Sequence, residues 1–343
     1  MTNKKHVTVK ADIRHDFSSI LWYGAVQDKL KEHLKENIDL INSYPERYAE
    51  TICRLLSRRL DVGEDELLVT DGGTGAIHLI AKVYEGAKSL MVTPANMEFR
   101  HALEIAGHEI TEVKGSEKWM KESLEGYDYC WISNPNAING RLYSRKSLIE
   151  LIRSNPSVTF VVDMAASAFV LEDTLKPADI KRYNNLIVIS SFSNPYNLPG
   201  MRVGYIVAEA SKVSELDHDY TPRCVGTMAM EAIRFILIHP AQFTIPIRKW
   251  HRNAKELIQQ LEILEGLEVI SSSTPYFLVR MRVGSAVELD EYLQKEHGLK
   301  VGTAADDLDL ESSEMRITAR DTEANEELFE AIREGLENLK GQK

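Results

Sequence analysis

Residues 190–205 have the sequence Ser-Ser-Phe-Ser-Asn-Pro-Tyr-Asn-Leu-Pro-Gly-Met-Arg-Val-Gly-Tyr and connect two apolar runs. The run before them, residues 186–190, and the run that begins at Arg202 both predict buried strands. The hydroxyls of Ser191 and Ser193 and the guanidinium of Arg202 lie close to the ends of these strands. Such groups at a strand end can hold a phosphate, although each residue taken alone is also common on protein surfaces. The segment therefore predicts a candidate phosphate site.

Short apolar runs alternate with amphipathic stretches through the middle of the chain, on both sides of this segment. This alternation predicts an α/β fold whose large domain has a mainly parallel, doubly wound sheet covered by helices. The predicted strands are residues 66–70, 89–93, 127–133, 159–163, 186–190 and 202–208. The predicted helices are a stretch that ends near Tyr84, residues 97–106 and residues 144–154.

The pattern changes after residue 225 and predicts a smaller α/β domain. Its predicted elements are a long helix at 241–264, a strand at 276–283, and helices at 287–296 and 322–339. We predict three parts of the chain: an N-terminal segment, 1–40, that joins the small domain; a large domain, 41–235; and a connecting helix with the small domain, 236–343.

The composition excludes several classes of protein. The 343 residues are 43% hydrophobic and 27% charged, with a formal net charge of −11, so neither nucleic acid nor an anionic membrane is the expected partner. No apolar run has the roughly 18–20 residues that a membrane span needs. The first residues do not resemble a secretion signal, and the three cysteines are scattered. We expect a cytoplasmic protein.

Three other features are candidates for ligand binding. Gly72-Gly73-Thr74-Gly75 lies between a predicted strand and helix, where backbone N–H groups can approach an anion, although a plain tight turn has the same composition. Asp163 ends an apolar strand, at the sheet edge where α/β folds place ligands, but a turn or cap residue fits equally well. Arg316 and Arg320 flank a short predicted strand near the C-terminus and suit a carboxylate or phosphate, or ordinary surface pairing.

Taken in order, these motifs resemble those of the fold-type I, pyridoxal-phosphate-dependent class I/II aminotransferases. The branch they resemble most contains histidinol-phosphate aminotransferase and threonine-phosphate decarboxylase. The similarity extends from Asp16 to the last helix. Its motifs are Tyr44-Pro45, Gly72–Gly75, Asn134-Pro135-Asn136 closing at Gly140, Asp163, Ser191-Phe192-Ser193, residues 198–205 and Met315-Arg316-Ile317-Thr318.

The resemblance implies a role for each matching residue. It implies pyridoxal phosphate, or pyridoxamine phosphate, as the cofactor, and a homodimer with shared active sites. Asp163 matches the carboxylate that pairs with the ring nitrogen, and Phe99 lies where the family places aromatic residues near the ring. Arg316 matches the ligand of the substrate carboxylate. The residues that match the family's ligands of the cofactor phosphate are Gly73, Thr74, Ser191, Ser193 and Arg202. Tyr44 matches a tyrosine that reaches this phosphate across the dimer interface.

Three features favour the decarboxylase over the histidinol-phosphate enzyme. Asp16-Phe17-Ser18 resembles the opening motif of the decarboxylase, and Pro199 matches its Pro-Gly-Leu-Arg motif. Arg320 supplies a second cation for the phosphate of a phosphorylated amino acid.

The sequence departs from the family pattern at the residues around the reactive carbon. The position of the Schiff-base lysine holds Asn194, which has no basic amine. The asparagine expected at the cofactor's phenolic oxygen falls on Ala137, with Asn136 one residue away as a substitute. The expected tyrosine falls on Ala166, and residues 20–23 lack the usual Asn-Pro type of motif.

These departures leave several hypotheses. One is an active enzyme with non-covalent cofactor, and decarboxylation is the reaction least harmed because it needs no base for the α-proton. A histidinol-phosphate type of aminotransferase is an alternative. A non-catalytic relative that binds cofactor or an amino-acid phosphate is another. A further hypothesis is that Asn194 is an introduced substitution of a natural lysine. This hypothesis does not explain Ala137 and Ala166.

Overall fold

The computed structural model describes residues 12–306 and 308–341. The chain forms two compact units, one of residues 21–248 and the other of the described residues up to Ile20 together with those from Lys249 onward. The domain boundaries predicted after residues 40 and 235 stay a prediction. None of the described helices is long and apolar enough to cross a bilayer.

The unit of residues 21–248 has a seven-stranded sheet with helices on both faces. The first strand among the described residues, β1 (His15–Asp16), belongs to the other unit. The larger unit then contains α1 (Asp28–Glu36), α2 (Glu50–Leu60), β2 (Leu67–Thr70), α3 (Gly72–Val83), β3 (Lys88–Thr93), α4 (Met97–Ile105), β4 (Glu109–Lys114), β5 (Tyr129–Ser133), α5 (Arg145–Ser154), β6 (Thr159–Asp163), β7 (Leu186–Ser191), α6 (Ser193–Tyr196), β8 (Gly204–Ala208), α7 (Ala210–Asp217) and α8 (Thr227–Ile238).

The order of the strands in this sheet is β2-β8-β7-β6-β5-β3-β4. Only β8 runs antiparallel to its neighbours β2 and β7, and the other pairs are parallel. Strands β5, β6 and β8 are buried along their whole length because hydrophobic clusters cover both faces. The α/β class and the mainly parallel sheet predicted from the sequence are confirmed. Since β2, β6 and β7 run the same way, their carboxyl ends lie at one edge of the sheet.

The other unit has a small antiparallel sheet and its own core. The elements that follow α8 are α9 (Ile247–Leu261), β9 (Leu267–Ile270), β10 (Tyr276–Met281), α10 (Ala286–Tyr292), β11 (Leu299–Lys300), β12 (Glu314–Thr318) and α11 (Thr322–Gly341). The sheet order is β12-β10-β9, and β1 pairs in parallel with β11. Phe17, Phe277 and Leu328 are among the fully buried residues of this core.

The single helix predicted over residues 241–264 is wrong. A short 3-10 turn covers Pro240–Phe243, and α9 begins only at Ile247. Pro246 accounts for the break, because a proline disfavours helical backbone at the residue before it and has no N–H to donate. It is well placed immediately before the first turn of α9.

Candidate active site

The glycine turn between β2 and α3 comes into contact with the segment around Arg202. Gly72 has a φ of +91°, and a Cβ placed on it would lie 2.6 Å from Nη2 of Arg202. A Cβ on Gly204, the first residue of β8, would lie 2.5 Å from the carbonyl carbon of Gly72 and 2.7 Å from the nitrogen of Gly73. A Cβ on Gly73 would lie 3.8 Å from Cβ of Ser191. Two segments almost 120 or more residues apart therefore form one small concavity, which we call the phosphate cradle.

The phosphate cradle has the donors that an anion requires. It consists of the turn at Gly72, Gly73 and Thr74 together with Ser191, Ser193 and Arg202. The first turn of α3 presents backbone N–H groups that have no carbonyl partner within the helix, and the helix dipole favours a negative charge there. The guanidinium adds a full positive charge, and it suits the bidentate binding of phosphate.

Backbone and side-chain bonds fix the serines and the arginine. The backbone N–H of Ser193 donates to Oγ of Ser191 over 3.1 Å, and the two hydroxyl oxygens are also 3.1 Å apart. Arg202 has a φ of 51°, in the left-handed region that a branched or long side chain seldom adopts, and its Nη1 donates to the carbonyl of Pro199. Strained backbone of this kind is typical of ligand-binding positions.

The sequence marks Gly204 only as part of a motif, yet this glycine sets the shape of the cradle. Alanine at this position would push β8 away from the backbone of Gly72 and Gly73, neither of which can give way as a flexible side chain would. We expect Gly204→Ala to lower the free energy of unfolding by about 2–3 kcal/mol and to weaken, roughly tenfold or more, the binding of pyridoxal phosphate, the cofactor that the sequence resemblance implies. Gly200→Ala is the matched control, because a Cβ there meets nothing within 4 Å. Urea unfolding and cofactor titration of both variants test this, and equal behaviour of the two would contradict it.

Asp163 is a buried carboxylate at the end of β6. It is 6% exposed, and its Oδ1 accepts a hydrogen bond of 2.9 Å from the backbone N–H of Ala165. Burial raises the pKa of the Asp163 carboxyl to about 6, and the bond from Ala165 offsets this only in part. Since β6 pairs with β7 and both end at the same sheet edge, this carboxylate and Ser191 mark neighbouring strand ends. A cationic N–H group beside Asp163 would offset the cost of burying the ionised carboxylate.

Asn194 follows Ser193 directly, in the short helix α6. Its backbone oxygen accepts a 2.9 Å bond from the N–H of Trp22, which fixes the turn. Its side chain is partly buried and ends in an amide. This position supplies no amine beside the cradle, so the residue cannot form a Schiff base or act as an effective general base.

The remaining predicted residues of this unit have structural contacts of their own. Nδ2 of Asn136 donates to the carbonyl of Pro94, while its Oδ1 accepts from the N–H groups of Ile138 and Asn139. The amide therefore holds its own loop together. Phe99 is fully buried in α4 with its ring edge-on to Trp131.

The two alanines at which the sequence departs from the family pattern differ in exposure. Ala166 is buried, whereas Ala137 is partly exposed. The cofactor roles predicted for Asn136 and Phe99 stay predictions.

Tyr44 is 91% exposed, and the guanidinium of Arg223 lies 6.0 Å from its ring centroid. An exposed tyrosine of this kind has its hydroxyl available for a group outside its own chain.

In the other unit, both predicted arginines are held by the segment Asp16–Ser18. Nε and Nη2 of the buried Arg316 donate to the carbonyl of Ser18 over 3.2 and 2.6 Å, and burial lowers the pKa of its guanidinium. Nη1 of Arg320 donates to the carbonyl of Asp16, and its guanidinium lies 5.8 Å from the ring centroid of Phe17. Two motifs that the sequence separates by about 300 residues are thus brought together.

The residues of the larger unit fit a phosphate-bearing pyridine cofactor. Gly72 and Gly204 allow the two segments of the cradle to approach more closely than a Cβ at either position would permit, and the donors there match a phosphate. A carboxylate with a raised pKa at the same sheet edge matches a protonated ring nitrogen.

The chain belongs to the class I and II aminotransferases, whose family model, "Aminotransferase class I and II", matches residues 23–332. The family is dependent on pyridoxal phosphate. The structure is similar to that of L-threonine-O-3-phosphate decarboxylase from Porphyromonas gingivalis, with a TM-score of 0.92 and 38% identity over 94% of this chain and 99% of that one.

Two further relatives belong to the histidinol-phosphate group. Histidinol-phosphate aminotransferase from Bacillus subtilis (strain 168) is 26% identical over 334 residues, which are 92% of this chain and 89% of the relative. The Sinorhizobium meliloti enzyme of that name, solved in complex with pyridoxal-5'-phosphate, has a TM-score of 0.82 at 17% identity, covering 95% of this chain and 92% of that one.

Proposed function

We propose that this chain binds pyridoxal or pyridoxamine phosphate without a covalent link and acts most like a decarboxylase of a phosphorylated amino acid such as O-phosphothreonine. The observation that carries the proposal is the phosphate cradle followed directly by Asn194. The 38% identity with the Porphyromonas gingivalis decarboxylase supports the substrate class.

In this proposal, each residue of the site would have a separate role in binding or catalysis. The cradle would hold the phosphate, and the Asp163 carboxylate would keep a proton on the ring nitrogen. When bound, the cofactor supplies an electron sink for a bond that breaks at the α-carbon. Arg316 would bind the substrate carboxylate, and Arg320 would bind the substrate phosphate. Release of carbon dioxide needs no residue to remove the α-proton, which is why the reaction tolerates Asn194 better than transamination does.

Two alternatives follow from other observations. A histidinol-phosphate type of aminotransferase is supported by the Bacillus subtilis relative, but it requires a base that Asn194 is not. A non-catalytic relative that binds cofactor or an amino-acid phosphate is favoured by Ala137 and Ala166, and by the loop contacts of the Asn136 amide.

The family is typically dimeric, and we propose a homodimer in which Tyr44 reaches the cofactor phosphate of the partner. The exposure of Tyr44 and of Ile41, at 91% and 63%, supports this because both are apolar surfaces suited to an interface. We also propose a cytoplasmic location, in keeping with three free cysteines.

Arg202→Ala tests the cofactor site. We expect it to weaken pyridoxal phosphate binding by about 10- to 100-fold, because it removes a charge-assisted bond worth about 1.5–3 kcal/mol. Equilibrium dialysis gives the Kd, and wild-type protein is expected to release its cofactor when dialysed. Arg58→Ala, which removes an exposed arginine on α2, is the control. An unchanged Kd in Arg202→Ala would exclude the cradle as the phosphate site.

A further inference from the structure

Helices α3 and α4 present three metal-binding side chains to one another. His78 lies on α3, and Glu98 and His101 lie three residues apart on α4, so the last two share a helix face. One ligand atom from each side chain lies within 4.8 Å of the other two. Nε2 of His78 is 3.2 Å from Oε2 of Glu98, and the rings of His78 and His101 meet edge-on at 5.6 Å.

We propose that His78, Glu98 and His101 form a Zn²⁺ site that bridges α3 and α4. Two imidazoles and one carboxylate are a common set of zinc ligands, with water in the fourth position. Ligand atoms at about 2.0–2.1 Å from the metal in a tetrahedron lie roughly 3.4 Å apart. His78 and Glu98 already have that spacing, and the exposed His101 side chain closes the remaining gap by rotating.

The surroundings are compatible with a cation. Lys82, one turn after His78 on α3, is paired with Asp219 over 2.7 Å, which offsets its charge. A hydrogen bond between His78 and Glu98 alone accounts for two members of the cluster, whereas a metal accounts for all three. The site is separate from the phosphate cradle, although α3 contributes to both: its first turn forms the cradle, and His78 lies in its second turn.

The experiment uses the untagged full chain, freed of metal with a chelator that is then removed. Addition of Co²⁺ is expected to produce the visible absorption of a four-coordinate site, and Zn²⁺ is expected to abolish it with micromolar or tighter affinity. One equivalent of Zn²⁺ should also raise Tm, because the metal binds only the folded chain.

Single substitutions identify the ligands. His101→Ala and Glu98→Gln should each weaken Zn²⁺ binding at least tenfold, and both residues are exposed enough for the fold to survive, which circular dichroism checks. His239→Ala removes an exposed histidine after α8 and should leave the affinity unchanged. Absence of the Co²⁺ absorption, or equal affinity in His101→Ala and wild type, would overturn the proposal and leave a simple hydrogen-bonded pair.

Discussion

The Asn194→Lys variant is expected to retain pyridoxal phosphate through dialysis and to become permanently labelled by it after borohydride reduction. The wild-type protein is expected to do neither. The substitution places a primary amine directly after Ser193, at the position that the sequence resemblance assigns to the Schiff-base lysine. Mass spectrometry of a peptide that contains position 194 measures the label.

Asn194→Gln is the matched control, because it changes the size of the same side chain without adding an amine. It should bind cofactor reversibly, like the wild type. A borohydride-fixed cofactor in the wild type would show that another lysine performs the role and that our interpretation of Asn194 is wrong. Lack of labelling in Asn194→Lys, with normal cofactor binding, would place position 194 away from the reactive carbon.

The same variant separates the proposed activities. If the site acts as a phospho-amino-acid decarboxylase, Asn194→Lys should release carbon dioxide from O-phosphothreonine faster than the wild type does. Amino transfer from histidinol phosphate to a keto acid would favour the aminotransferase alternative. No reaction with either substrate, despite covalently held cofactor, would favour a non-catalytic relative in which Ala137 and Ala166 matter more than residue 194.

The sequence predicts those parts of the fold that depend on local pattern. The mainly apolar runs of β6 and β7 predict buried strands, because both faces of the sheet are covered. Strand β4, Glu-Ile-Thr-Glu-Val-Lys, was missed because it is an edge strand with exposed and partly exposed residues. Helix α8 was missed because apolar residues occupy most of its circumference and leave no clear helical period.

The residues of the candidate site also differ in whether a local sequence pattern predicts them. Ser191, Ser193 and Arg202 are close in sequence, so one motif predicts all three. The approach of Gly204 to the backbone of Gly72 depends on the antiparallel pairing of β8 with β2, which no local pattern reveals. A glycine at the first position of a buried strand is the one local indication of such an approach.

The Asp163→Asn variant is expected to be more stable than the wild type at pH 8 when both are free of cofactor, and nearly equal to it in stability at pH 4. Below the ordinary pKa of 3.8, the carboxyl is protonated in the folded and unfolded chain, and its burial costs little. Between pH 3.8 and about 6 the unfolded chain ionises while the folded chain keeps the proton, so the free energy of unfolding falls as the pH rises. Above pH 6 the decrease in the free energy of unfolding of the wild type is complete, at about 2–3 kcal/mol.

Urea unfolding from pH 4 to 8 measures this difference, and Asp179→Asn is a control of opposite sign. Asp179 is as buried as Asp163, but it accepts a bidentate pair of hydrogen bonds from Arg145 at 2.5 and 3.1 Å, so its neutralisation should destabilise the chain by about 1.5–3 kcal/mol at pH 7. Saturating pyridoxal phosphate should then reverse the order at pH 8, because only the carboxylate of the wild type pairs with a protonated ring nitrogen. If Asp163→Asn gained as much stability from the cofactor as the wild type, the buried carboxylate would serve the fold rather than the ring. A stability difference that did not vary between pH 4 and 8 would show that the pKa of Asp163 is not raised in the folded chain, and would contradict this prediction.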